Sequence, residues 1–223
     1  MKTARSSTQI GQIVRNAVAF NPRNWPRDGH DFSSLMNDIL QAVGELFALL
    51  GERKISYVLV GPIAMLQYVE GRNTQDIDLI VALSDLAKLP EIVIETQDDS
   101  FARARFQGLQ IDFLLSRNRL FDLVRKQHAT AQNFGEQKIV CATVEGLLLL
   151  KLYALPALYR LGRFARVGLY ENDIATLMQS YKPDMTPIFD ELANHLNPND
   201  LRSVSEITRE IEARIARFER HDS

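Results

Sequence analysis

Apolar positions change their period along this chain, and the change divides it. Leu35, Ile39, Val43, Leu46, Phe47 and Leu50 keep helical spacing. They predict a helix that opens at Asp31 or Ser33, either of which can cap it, and stops at Gly51. The segments that follow are short and strand-like: YVLV at Tyr57–Val60, then residues 76–82, and residues 92–95 as a short strand or extended linker. FARARF at Phe101–Phe106 alternates apolar with basic, Gln107 and Gly108 make a tight connection, and LQIDFLL at Leu109–Leu115 returns. That pattern predicts an antiparallel hairpin. Gln137–Ala142 reads as the last strand. Between the strands, short helices are predicted over residues 63–69, 84–89 and 121–126. The first of these begins at Pro62, where a missing N–H is tolerated.

From Thr143 onward the period is helical. Thr143 caps a helix running to about Leu155, where Pro156 limits it. Residues 170–180 and 187–196 give two more. Leu201, Val204, Ile207, Ile211, Ile215 and Phe218 form the stripe of a last helix, with Ser203 and Glu206 as a capping box. The expected organisation is therefore a loose arm at 1–30, rich in breakers and tacked down by Trp25, an α/β core at 31–142, and a helical region at 143–223.

Composition narrows the function classes. Hydrophobic residues make up 46% and charged residues 24%, as in a folded domain. A net charge of -2 argues against a protein that coats nucleic acid non-specifically. Arg103, Arg105, Arg160, Arg163 and Arg166 leave open a local basic surface or a solvated face. One cysteine, Cys141, excludes an intrachain disulfide and a multi-cysteine zinc site, and its apolar surroundings in the sequence read as packing. The longest aliphatic stretch ends at Lys151, so no membrane span or leader is read here, and the cytoplasm is the expected compartment.

The candidate chemistry lies in carboxylates that enter apolar strands. Asp76 and Asp78 are two apart in DIDLIV and so share a face of an extended strand. Asp112 sits between Ile111 and Phe113. Charges in such places need neutralising, which predicts Mg²⁺ held by Asp76, Asp78 and Asp112 for phosphate chemistry. The alternative is a structural arrangement in which Arg103 or Arg105 pairs with the acids. Gly61, at a strand-to-helix turn, would let backbone N–H groups approach phosphate, or would simply permit a tight turn.

These motifs resemble the nucleotidyltransferase superfamily with the DNA-polymerase-β-like palm, and look closest to AbiEii-like proteins of type IV toxin–antitoxin systems. The resemblance covers about residues 55 to 180. It rests on VGPIAM at 60–65, on RNTQDIDL at 72–79, where relatives read R-x-T-x-D-h-D-h, and on Asp112 and Lys151 beyond them. It implies an α+β fold, a mixed-sheet palm with a C-terminal helical region. It implies a Mg²⁺-dependent enzyme that moves an NMP group from an NTP to a hydroxyl acceptor and releases pyrophosphate. By the same resemblance Asp76, Asp78 and Asp112 bind metal and are catalytic, Thr74 lies at the nucleotide edge, and Lys151 faces phosphate. The acceptor stays open between a small hydroxyl compound, a tRNA 3′ end and a protein, and an antitoxin-like partner is implied. Asp173 and Ile174 match the second half of a K-D-x-x-D-I motif, with Leu169 and Tyr170 where Lys-Asp would stand. The first turn departs as well: Pro62 replaces glycine or serine, which removes one phosphate donor. That departure motivates the alternative function, a catalytically impaired partner-binding or regulatory protein on the same fold.

Overall fold

The computed structural model describes residues 10, 12, 32–69, 76–134 and 137–219. Most of the expected arm, including Trp25, and the segment with Thr74 lie outside these. Ile10 is helical and buried. The described residues form two units that meet in sequence between Ala142 and Thr143.

The first unit is built on a mixed sheet. Its elements are α1 (Phe32–Glu52), β1 (Tyr57–Val60), α2 (Gly61–Met65), β2 (Asp76–Val81), α3 (Leu83–Leu86), β3 (Val93–Gln97), β4 (Phe101–Phe106), β5 (Leu109–Leu115), α4 (Arg119–Gln127), β6 (Ala129–Phe134) and β7 (Gln137–Ala142). Seven strands lie in the order β3-β4-β5-β2-β1-β7-β6. β2 runs parallel to β5 and β1 parallel to β7, while the other neighbours are antiparallel. The fold is α+β.

Alternation decides which residues this sheet buries. Ile77 and Leu79 of β2, Ile111 and Phe113 of β5, and Ala102 and Ala104 of β4 are buried. Asp76, Asp78, Gln110, Asp112, Arg103 and Arg105, one step along the strands, are more open and point to the opposite face. α1 packs on β5, and α4 packs on β2 and β5. Asn118 starts α4, its side chain accepting from the backbone N–H groups of Leu120 and Phe121.

Several boundaries depart from the sequence reading for identifiable reasons. α1 passes through Gly51 and stops only where Lys54 turns left-handed, at φ 52. There the Ile55 N–H donates back to the Leu50 carbonyl at 2.9 Å, so the cap comes from a lysine and not from the glycine. β6 was not expected at all. Its sequence, ATAQNF, lacks an apolar alternation because it pairs along one side only, with β7.

The second unit is helical: α5 (Val144–Arg160), α6 (Phe164–Tyr181), α7 (Met185–Leu192) and α8 (Pro198–Glu219). Thr143 caps α5, accepting from the Gly146 N–H at 3.3 Å. Pro156 does not end α5, which continues to Arg160. Leu147, Leu148, Leu149, Leu152 and Leu155 are buried along that helix, and their packing outweighs the local cost of the ring. The expected capping box at Ser203 also gives way. α8 is capped six residues earlier, with Asn197 Oδ1 accepting from the N–H groups of Asn199 and Asp200, and the Ser203 hydroxyl donates inside the helix to the Asn199 carbonyl. None of the described helices is long and apolar enough to cross a membrane.

Candidate functional site

The site is assembled by strand register. Val60, the last residue of β1, lies opposite Asp78 of β2. The chain must then leave the sheet at once, and it does so at Gly61 with φ 66. A Cβ at this position would stand 2.6 Å from Asp78 Cγ and 2.9 Å from its Cβ, and closer still to Oδ2. Glycine is required here twice, by the left-handed backbone and by the carboxylate that fills the space a side chain would take. Pro62 follows in the first turn of α2, and Ile63, Ala64 and Met65 anchor that short helix in the core.

Asp76 and Asp78 are both half-buried, and share one face of β2, with buried Ile77 and Leu79 on the other. The parallel pairing with β5 places Asp112 directly beside Asp78, and Gln110 beside Asp76. The three acids therefore share one face of adjacent strands. Asp112 is engaged from the next strand. On its other side lies Arg103 of β4, its register partner. Arg103 Nε donates to Asp112 Oδ1 and Nη2 to Oδ2, both at 2.9 Å. The hydrogen bond to Asp112 raises the guanidinium's pKa further, with partial burial opposing and the charges of Asp112, Asp76 and Glu95 assisting. Arg105, the next basic residue on that face, pairs with Glu95 of β3.

The donor set bears directly on whether a divalent ion fits. Among the described residues, no three His, Cys, Asp or Glu side chains are gathered so as to hold a metal ion by themselves. A magnesium ion does not need three, because it binds through one or two carboxylates and completes its shell with phosphate oxygens and water. Asp76 and Asp78 fit that smaller demand, and Asp112 beside them accepts the fork from Arg103.

Lys151 belongs to the helical unit. It lies on α5 with only 6% of its surface exposed. Its Nζ donates to Asp173 Oδ2 of α6 at 2.7 Å and stands 4.6 Å from the centre of the Tyr170 ring. Asp173 is thus this lysine's counter-charge. The member of the site that motif reading left as an alternative is Arg103. The signal was present: a two-residue connection at Gln107 and Gly108 pairs Phe106 with Leu109, and counting back puts Arg103 opposite Asp112.

No protein-family model and no curated protein matches the chain. Solved structures do. The chain is similar to the solution structure of the antibiotic-resistance factor ANT(2'')-Ia, with 12% identity and a TM-score of 0.47, over 81% of this chain and 96% of that one. A crystal structure of ANT(2'')-Ia in complex with adenylyl-2''-tobramycin gives 10% and 0.49, over 78% and 97%. An antigenic nucleotidyltransferase-like protein from Paracoccidioides brasiliensis gives 15% and 0.44, over 92% and 95%. At these identities and TM-scores the likeness assigns neither activity nor substrate.

Proposed function

We propose that this protein transfers a nucleotidyl group from an NTP to a hydroxyl acceptor and releases pyrophosphate. The observation that carries the proposal is the Asp76–Asp78 face of β2, with Gly61 held bare by the carboxylate of Asp78. A strand that buries Ile77 and Leu79 yet carries two acids on its other face has a use for negative charge there.

Asp76 and Asp78 would hold Mg²⁺, which when bound polarises the phosphate oxygens of the triphosphate. Backbone pairing holds β2 against β1 and β5 at Asp78, and against β5 at Asp76, so the strand that carries both acids is fixed in the sheet. Gly61 leaves the approach to Asp78 free of a side chain. The acceptor belongs to one of three classes, a small hydroxyl compound, a tRNA 3′ end or a protein side chain, and an antitoxin-like protein is a further candidate partner. Lys151, buried on Asp173, is given a structural part and no step in the transfer.

The test is incubation with each α-labelled NTP and Mg²⁺ in a cell lysate. Label should move to an acceptor with the native protein and not with Asp78→Asn. Equal labelling by the variant would end the proposal. The second reading, a partner-binding protein without turnover, is favoured by Pro62, which offers no N–H to a phosphate. Labelling that appears only after Pro62→Gly or Pro62→Ser would support it.

A further inference from the structure

A guanidinium beside two acids raises the question of what Arg103 is for. It carries five N–H donors, and the fork to Asp112 uses two of them, leaving three. Its side chain is 47% exposed, and the fork makes an ion pair with Asp112. Both partners sit on paired strands in register, and a two-point fork fixes the plane of the group as well as its place. Asp78 is the neighbour of Asp112 on the next strand. A cation is therefore held on the acid face by the residue expected to hold a metal.

Resting on the nucleotidyl-transfer reading above, we infer that Arg103, anchored by Asp112, is the fixed positive charge of the site and binds a phosphate of the nucleotide through its remaining N–H groups. Asp112 is then a positioning residue that orients Arg103, and Asp76 with Asp78 make up the metal-binding pair. A three-acid arrangement would assign the same three strands differently, with Asp112 sharing an ion and Arg103 displaced.

The two assignments separate in binding experiments that need no turnover. Mn²⁺ alone, and then a non-hydrolysable ATP analogue with Mn²⁺, are titrated calorimetrically into the full chain and into Arg103→Gln, Arg103→Lys, Asp112→Asn and Asp78→Asn. Thermal unfolding confirms that each variant is folded. In Arg103→Gln, Mn²⁺ affinity and its one-ion stoichiometry stay as in the native chain, while analogue affinity falls roughly ten- to hundredfold, the size of a hydrogen bond to a charged group. Arg103→Lys recovers part of the loss, and Asp112→Asn weakens the analogue but not Mn²⁺. Loss of Mn²⁺ binding in Asp112→Asn, or a second Mn²⁺ gained in Arg103→Gln, overturns the inference. If Asp78→Asn binds metal and analogue normally while Arg103→Gln does not, the nucleotidyl-transfer reading falls and the phosphate role of Arg103 stands. A native chain that binds no analogue ends both.

Discussion

Gly61→Ala should cost stability in proportion to how tightly that turn is built against Asp78. The new residue is held at φ 66, a left-handed conformation that costs a side-chain-bearing residue roughly 1–3 kcal/mol. Its Cβ would fall 2.6 Å from Asp78 Cγ, where ordinary contact begins at 3.4 Å. The carboxylate must swing aside, off its preferred rotamer, for about another 0.5–1.5 kcal/mol. Together these predict a loss of about 1.5–4.5 kcal/mol, with faster amide exchange in β1 and β2. The diagnostic is the double-mutant cycle. Asp78→Ala removes Cγ and Oδ2 and leaves only Cβ, at 2.9 Å. In that background Gly61→Ala should cost about 1 kcal/mol less. The assay is urea unfolding of the native chain, both single variants and the double variant, followed by circular dichroism. Equal costs in the two backgrounds would refute the reasoning and leave Gly61 as a simple turn glycine.

Three further outcomes follow from the geometry. Lys151→Met strands the Asp173 carboxylate in a site where both partners' side chains are under a tenth exposed. It should destabilise by roughly 3–5 kcal/mol, and Lys151→Met with Asp173→Leu should recover much of that in urea unfolding. Tyr57 has its pKa pushed up to about 12, by burial first and then by the Cys141 thiolate. Because the folded value lies above the ordinary 10.0, stability from the neutral phenol is full below about pH 10 and is lost toward pH 12. Tyr57→Phe should flatten that alkaline limb of the pH–stability curve. Burial likewise pushes the Cys141 thiol up to about 12, so a thiol reagent at pH 8 should label the unfolded chain and leave the folded one unmodified.

How much of this was legible in the residues depended on what burial imposes on them. The hairpin of β4 and β5 announced itself because Ala102, Ala104 and Phe106 alternate with Phe101, Arg103 and Arg105. The DIDLIV strand did so because acids interrupt an apolar run at a period of two. β6 gave no such sign: ATAQNF mixes small, polar and aromatic residues without a period of two, and the strand is held by backbone pairing to β7. Pro156 read locally as a stop, yet packing of the leucines carried α5 through it, and Gly51 gave up the cap to Lys54 three residues on. In the site, the common face of Asp76 and Asp78 follows from strand geometry alone. Which partner Asp112 takes does not, because register sets it between Asp78 and Arg103, and the opposite charge of Arg103 is what it pairs with.

The central claim, that Asp76 and Asp78 receive a metal-bound nucleotide, is tested most directly by calorimetric titration of a non-hydrolysable NTP with and without Mg²⁺. Binding should require Mg²⁺ in the native chain and vanish in both Asp76→Asn and Asp78→Asn. Binding that ignores the ion, or survives in both variants, would contradict it.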